Sequence, residues 1–171
     1  PRVVVIGGGF GGATCARYLR RFNPSLQVTL VERDAYFITC PFSNAVLGGL
    51  QEMDSIRQSY DPLRTKHGVN VLQDTVTAID PAGNRVTLQN AGPLEYDRLV
   101  ASPGIDFRWD DVAVLDAAGR DLIPHAWKAG PHTITPRQQL TALSHGPLVI
   151  IAPTHDPSRP PPAPSQHPSP N

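Results

Sequence analysis

The sequence predicts an α/β fold built on a parallel β-sheet, and three neighbouring segments carry the prediction. An apolar, β-branched run at residues 2–6 leads into a cluster of glycines at residues 7–12. A helical segment at residues 13–22 and a second apolar run at residues 28–31 follow. A strand, a helix and a strand within about 30 residues are typical of a βαβ unit, in which the helix returns the chain so that the two strands lie parallel.

Each element of this unit has its own signal. The run at residues 2–6 is short, continuous and β-branched, which is typical of a buried strand. The helix is amphipathic, and Asn23 and Pro24 end it. Its apolar side carries Ala16, Leu19 and Phe22, and its solvent side carries Arg17, Arg20 and Arg21.

The later elements are shorter. Residues 33–54 are rich in loop signals, and residues 55–67 predict a helix interrupted near Pro62. A turn at residues 80–84 predicts a hairpin, which adds a small antiparallel insertion to the fold. The other predicted elements are strands at 69–73, 75–79, 85–88, 99–101 and 148–152, and a helix at 136–143.

The chain divides by composition. Residues 1–110 predict an N-terminal Rossmann-like dinucleotide-binding domain, and residues 111–153 predict a linker and the start of a second nucleotide-binding-like domain. Residues 154–171 contain mostly Pro, Ser and His. Such a segment buries too little apolar surface to offset its ordering entropy, so we expect it to be disordered or polyproline-like.

Composition also excludes several function classes. The formal net charge of the 171 residues is zero, which argues against a nucleic-acid partner. No apolar run approaches the roughly 20 residues that span a bilayer. The two cysteines form neither a disulfide scaffold nor a zinc motif, the histidines lack metal-ligand spacing, and no C-x-x-C-H haem motif is present.

The glycine cluster predicts a dinucleotide site. Gly7, Gly9 and Gly12 fit the pattern G-x-G-x-x-G, with Gly11 in the same turn. One glycine allows the tight turn, the next lets the backbone approach a pyrophosphate, and the third allows close helix–strand packing. The phosphates then lie at the helix N-terminus, where free N–H groups favour negative charge. The alternative is a bare turn in an unrelated α/β domain.

An acidic residue stands at the expected distance. Glu32 follows Gly12 by 20 residues and ends the second strand, where a carboxylate accepts hydrogen bonds from ribose hydroxyls. The alternative is a solvated carboxylate at a strand end. These motifs do not separate FAD from NAD. Residues 96–104 form an apolar strand closed by Ser102, Pro103 and Gly104, which is either a turn that returns to a flavin pyrophosphate or an ordinary strand exit.

Four further segments carry a family resemblance. They are DAYFITCPFSNAVLGG (34–49), YDPLRTKHGVNV (60–71), YDRLVASPGIDF (96–107) and IPHAWKAGPHT (123–133). Together they resemble the flavoprotein subunit of flavocytochrome c sulfide dehydrogenase, which is related to sulfide:quinone oxidoreductases and to the wider pyridine nucleotide-disulfide oxidoreductases. The resemblance covers about residues 2–153 and implies FAD, with Arg33, Val76, Ser102 and Gly104 also in its site.

The resemblance gives Cys40 a covalent role. The family joins a cysteine in a T-C-[PY]-x-S-N stretch to the flavin 8α-methyl through a thioether, and Cys40 occupies that position. A thiolate adds to the activated methyl carbon, and an electropositive, partly exposed site favours the thiolate. The alternative is an inert loop thiol. Cys15, inside the first helix, is expected to be a small buried apolar residue.

The resemblance also implies an activity, a partner and a compartment. Family enzymes oxidise sulfide at a disulfide over the flavin and pass electrons through FAD to a cytochrome c subunit in the periplasm. Here Pro160 stands where the first cysteine of that disulfide is expected, so no catalytic residue is assigned, and the chain by itself is expected to be inactive with sulfide. The resemblance ends there, which predicts a truncated homologue, produced by a frameshift or as a natural short protein.

Two other functions remain open. One is an NAD-binding Rossmann module of another dehydrogenase class, in which Cys40 has no role. The other is a non-catalytic nucleotide-binding remnant.

Overall fold

A computed structural model describes residues 1–107, 119, 122–125 and 127–150 of the chain. In chain order its strands are β1 (Arg2–Ile6), β2 (Gln27–Glu32), β3 (Tyr36–Ile38), β4 (Arg57–Ser59), β5 (Asn70–Gln73), β6 (Val76–Asp80), β7 (Arg85–Leu88), β8 (Gly92–Glu95) and β9 (Arg98–Ala101). The helices that lie wholly within these ranges are α1 (Phe10–Phe22), α2 (Ser43–Leu47), α3 (Asp61–His67) and α4 (Ile134–Ala142).

The central sheet is parallel and has the order β5-β2-β1-β9. The predicted α/β class and the βαβ unit are therefore confirmed. Its strands form because continuous β-branched runs can be buried on both faces. In β1, Val3 and Val5 face one core and Val4 faces another. The strand order reverses between β1 and β9, which creates a topological switch point there.

Different layers cover the two faces of this sheet. On one face, α1 and α3 pack their apolar side chains over the sheet, with Ala16 and Leu63 beside Leu30. On the other face lies the antiparallel sheet β6-β7-β8, which contributes Val86 and Leu88. The predicted hairpin is confirmed, and β8 adds a third strand that the sequence did not indicate.

A buried carboxylate joins these two sheets. Asp74 follows β5 directly and is 7% exposed. It accepts hydrogen bonds from the backbone N–H groups of Thr75, Asn90 and Ala91 at 2.7–3.2 Å and from the Asn90 side-chain amide at 3.0 Å. These donors fix the turn between β7 and β8 to the end of β5.

The prediction of one helix over residues 55–67 is wrong. A 3-10 turn at Met53–Ile56 leads into β4, which pairs antiparallel with β3, and only Asp61–His67 is helical. Met53 and Ile56 are buried against Val46, so tertiary packing fixes the 3-10 turn. Pro62 opens α3 instead of interrupting it, because the first turn of a helix needs no N–H from that residue.

Smaller differences from the prediction concern α1. α1 begins at Phe10, three residues earlier than predicted, so Gly11 and Gly12 are helical. Phe22 is 78% exposed although it shares the apolar side of α1. Arg20 does not face solvent freely, since its Nε donates to the His67 carbonyl at 3.0 Å.

Other predictions for the C-terminal part find less support. Within the predicted strand at 148–152, the described residues 148–150 are not in a strand. The predicted tail and Pro160 lie outside the described residues. No helix in the described ranges is long and apolar enough to cross a bilayer.

Candidate dinucleotide site

The glycine turn lies at the carboxyl end of β1, between β1 and α1. Gly7 donates its N–H to the Val31 carbonyl at 2.9 Å, and Ser102 donates its N–H to the Ile6 carbonyl at 2.8 Å. The carboxyl ends of β1, β2 and β9 therefore meet around this turn. In doubly wound sheets, ligands bind outside the carboxyl ends of the strands at the switch point, which is where this turn lies.

The protein itself requires two of the motif glycines. Gly7 has a φ of +91°, and a Cβ there would lie 2.1 Å from the Ser102 carbonyl oxygen. A Cβ on Gly12 would lie 1.8 Å from the Gly7 carbonyl oxygen. Real Cβ atoms do not approach so closely, so a side chain at Gly7 would push Ser102 away from the turn, and a side chain at Gly12 would push α1 away from it.

Gly9 is different because the protein does not fill the space beside it. It has an extended backbone, with φ −66° and ψ −169°, and a Cβ there would meet only the Phe37 ring, at 4.0 Å. Its lack of a side chain thus leaves an open cradle at the start of α1. The space beside Gly11 is partly filled, since a Cβ there would lie 2.8 Å from the Ser102 hydroxyl oxygen.

The N-terminus of α1 faces this cradle with free donors. Gly9 is the N-cap residue and provides no side-chain cap, and the first turn holds no acidic side chain. The first helical hydrogen bond runs from the Ala13 N–H to the Gly9 carbonyl, at 3.0 Å. The N–H groups of residues 10–12 precede it and have no partner within the helix. Together with the helix dipole they favour an anion, and the cradle fits a pyrophosphate.

Glu32 lies beside the turn, at the end of β2. Its Oε2 accepts the Gly8 N–H at 2.5 Å, and its Oε1 accepts the Asp34 N–H at 2.9 Å. The carboxylate is therefore held in a fixed orientation rather than moving freely in solvent. Each oxygen keeps a further lone pair, which can accept a ribose hydroxyl.

The remaining residues of the predicted set are spread along the same edge. Ser102 touches Gly7 and Gly11, and Gly104 has a φ of +77° with open space where a Cβ would be. Arg33 is exposed, and its Nε lies 3.7 Å from the Asp34 carboxylate. Val76 starts β6, and its partly buried side chain packs against the core that contains Val86.

Cys40 sits on a separate, well-anchored loop. It is exposed and opens a 3-10 turn, Cys40–Phe42. Thr39 is fixed to the Ile56 carbonyl by both its N–H and its hydroxyl, and the Ser43 hydroxyl donates to the Cys40 carbonyl at 2.8 Å. The Cys40 Sγ lies 3.9 Å from the Trp127 carbonyl oxygen. The loop therefore presents an accessible thiol on a fixed backbone.

This loop reaches the glycine turn through aromatic contacts. The Phe37 ring meets the Phe10 ring edge to face, with centroids 4.6 Å apart, and borders Gly9. The other cysteine, Cys15, is half-buried on α1, so it is less buried than the sequence led us to expect.

Sequence reasoning missed one residue that contacts the turn. Tyr60 is 6% exposed, and its hydroxyl donates to the Gly8 carbonyl at 3.0 Å. Burial, with the Glu32 and Asp34 carboxylates, raises the pKa of Tyr60 above its ordinary value. The partner is 52 residues away in the sequence, so no local pattern indicates this contact.

The parallel sheet, the glycine turn at its switch point and the acid on the neighbouring strand define a dinucleotide-binding α/β domain. Residues 1–125 match the family model described as pyridine nucleotide-disulphide oxidoreductase. The chain belongs to this family.

The relatives include proteins that act on sulfide. The chain is 69% identical over 45 residues to the sulfide dehydrogenase [flavocytochrome c] flavoprotein chain of Chlorobaculum thiosulfatiphilum, a stretch that covers 26% of this chain and 94% of that sequence. It is 32% identical over 152 residues to the sulfide-quinone reductase of Aquifex aeolicus, covering 88% of this chain. The chain spans 34% of the length of that reductase.

Solved structures give the same grouping. The sulfide:quinone oxidoreductase of Aquifex aeolicus matches with a TM-score of 0.71 and 30% identity, over 82% of this chain and 31% of that one. An NAD-dependent persulfide reductase from A. fulgidus matches with a TM-score of 0.57 and 30% identity, over 61% of this chain and 21% of that one. Both similarities support the resemblance on which the sequence prediction rested.

Proposed function

We propose that the chain binds FAD at the glycine turn, as the dinucleotide-binding part of a flavin-dependent oxidoreductase. The observation that carries this proposal is the open cradle at Gly9, which faces the free N–H groups of α1. Those groups hold the pyrophosphate, and Glu32 holds the adenosine ribose. Bound FAD would supply reversible two-electron chemistry, while the protein orients it.

The proposed substrate is sulfide. The support is the 69% identity to a sulfide dehydrogenase flavoprotein chain and the likeness to sulfide-quinone reductase along most of the chain. In the proposed assembly the electrons leave FAD for a cytochrome c subunit in the periplasm. Sulfide oxidation also needs the disulfide that Pro160 disrupts, so we assign to this chain the binding of the flavin and not the attack on sulfide.

We further propose that Cys40 forms a thioether with the flavin 8α-carbon. Its exposure and the anchoring of its loop by Thr39 and Ser43 support this role. The C–S bond would replace one C–H bond of the methyl group and the S–H bond of Cys40, so two protons and two electrons would be given up. The bound flavin would accept the two electrons, and dioxygen would take them up as hydrogen peroxide.

Reconstitution with FAD tests both proposals. The protein is expressed with FAD available, and its visible spectrum and intact mass are then measured after acid denaturation. We expect one FAD mass to be added to the wild type and to Cys15→Ala, and none to be added to Cys40→Ala. A second titration compares FAD with NAD under native conditions.

The outcomes separate the candidate functions. Native FAD binding without covalent mass would refute the thioether and keep the flavin site. Binding of NAD in preference to FAD would favour the alternative nicotinamide module. Failure to bind either nucleotide by a folded protein would refute the proposed function.

A further inference from the structure

Both backbone polar groups of Gly8 are hydrogen-bonded to side chains, one in the peptide before this residue and one in the peptide after it. Its N–H donates to Glu32 Oε2, and its carbonyl accepts the Tyr60 hydroxyl at 3.0 Å. Tyr60 also closes the space beside Gly8, because a Cβ there would lie 2.6 Å from the phenolic oxygen. The tyrosine thus touches the glycine turn from its buried side.

The geometry of the peptide bond links this contact to the cradle. In a planar trans peptide, the carbonyl of one residue and the N–H of the next point in opposite directions. The Gly8 carbonyl points inward to Tyr60, so the Gly9 N–H points outward, away from the core. Gly9 is the N-cap residue of α1, so its N–H directly precedes the N–H groups of the first helical turn.

This orientation needs an external support. The peptide between Gly8 and Gly9 is flanked by two glycines, and glycine accepts rotations that a side chain would forbid. Rotation of this peptide would turn the Gly9 N–H inward and the carbonyl oxygen toward the cradle. A carbonyl oxygen there would repel a phosphate, whereas an N–H attracts it.

We propose that Tyr60 is a positioning residue for the dinucleotide, whose hydroxyl locks the Gly8 peptide so that the Gly9 N–H is presented to the pyrophosphate. This inference rests on the proposed function for its ligand, but the locked peptide is a property of the protein alone. A phenol is protonated throughout the neutral range, and burial raises the pKa of Tyr60 further, so its hydroxyl can donate this hydrogen bond.

The first experiment uses the protein without nucleotide. The amide resonances of residues 8 and 9 are recorded by ¹⁵N NMR in the wild type, in Tyr60→Phe and in the control Tyr18→Phe, which removes a hydroxyl from the exposed side of α1. We expect one sharp Gly9 signal in the wild type and the control. Tyr60→Phe should broaden or double it, since one hydrogen bond shifts such an equilibrium about fivefold. An unchanged Gly9 signal in Tyr60→Phe would overturn the proposal.

The second experiment measures ligand binding. FAD and ADP-ribose contain the pyrophosphate, and adenosine does not. We expect Tyr60→Phe to weaken FAD and ADP-ribose by the factor by which the NMR population of the oriented peptide falls, at most about fivefold, and to leave adenosine unchanged, which a general loss of packing would not do. Equal FAD and ADP-ribose affinities in the wild type and Tyr60→Phe would overturn the positioning role.

Two features keep the test decisive. If the wild type binds no FAD, the proposed function fails, and the NMR comparison still decides whether Tyr60 orients the peptide. If Tyr60→Phe does not fold, the hydrogen bond is tested in the wild type instead, by the ¹³C chemical shift of the Gly8 carbonyl. A shift typical of an unbonded carbonyl would then refute the lock.

Discussion

Gly9→Ala tests whether the open cradle exists to admit a ligand. The new methyl group would meet only the Phe37 ring at 4.0 Å, and the backbone at φ −66° suits alanine. Alanine is a poorer N-cap than glycine, so we expect a stability loss of only about 0.5–1 kcal/mol. The melting temperature should therefore fall by less than about 8 °C.

The effect on binding should be much larger. Phosphate oxygens approach backbone N–H groups to about 2.9 Å between heavy atoms, and a methyl group beside those donors prevents that approach. Losing one hydrogen bond to a charged group costs about 1.5–3 kcal/mol, which corresponds to a rise in Kd of roughly 10- to 150-fold. Calorimetric titration with FAD or ADP-ribose measures this rise in Kd.

Gly12→Ala is the matched control, since it makes the same chemical change three residues away. Its Cβ would lie 1.8 Å from the Gly7 carbonyl oxygen, so α1 must move away from the turn. We expect a loss of about 3 kcal/mol, the upper end of the usual cost of overpacking, seen as a lower melting temperature even without nucleotide. Wild-type FAD affinity in Gly9→Ala, or wild-type stability in Gly12→Ala, would refute the division of roles between these glycines.

Three further predictions concern the core, the buried carboxylate and the missing disulfide. Leu30→Ala, at a fully buried position of β2, should cost about 2–5 kcal/mol in urea unfolding, and a loss under 1 kcal/mol would contradict the described core. Burial by itself would raise the pKa of Asp74, but the N–H donors at Ala91, Thr75 and Asn90 outweigh it and lower that pKa. The ionised Asp74 carboxylate therefore stabilises the fold at pH values above its pKa in the unfolded chain, about 3.9, and this stabilisation is lost as the pH falls through its lower pKa in the folded protein. The free energy of unfolding of Asp74→Asn should accordingly change less with pH in the acidic range than that of the wild type. Because Pro160 replaces the expected cysteine, sulfide added to the purified chain should not reduce cytochrome c, and reduction above the protein-free rate would refute this.

The parts of the fold that the sequence predicted correctly depend on neighbouring residues. Apolar runs and a glycine motif within 32 residues predict the βαβ unit, and an apolar run predicts the strand at Arg98–Ala101. The distance from Gly12 to Glu32 placed an acid beside the turn because the length of α1 and β2 fixes that geometry. The roles of the residues in the site stay predictions.

The errors arise where distant residues decide the structure. Residues 57–59 form β4 only because β3 offers an edge to pair with, and Gly92–Glu95 becomes a strand only beside β7. Tyr60 reaches Gly8 across 52 residues. Helical periodicity placed Phe22 on the apolar side of α1, but at the last turn no core remains to cover it, and it stays exposed.

The position of β9 has a consequence for how the protein is made. β9 is the last parallel strand along the described part of the chain, and Asp97, directly before it, accepts the Arg2 N–H across 95 residues. Ser102, which walls the glycine turn, leaves the ribosome some 5–20 s after the turn itself, at ordinary rates of synthesis. Of the parallel strands that the structure describes, β9 is synthesised last, so the proposed nucleotide site gains its Ser102 wall only after β9 has docked. Nucleotide capture by a nascent chain would then report that β9 has joined the sheet.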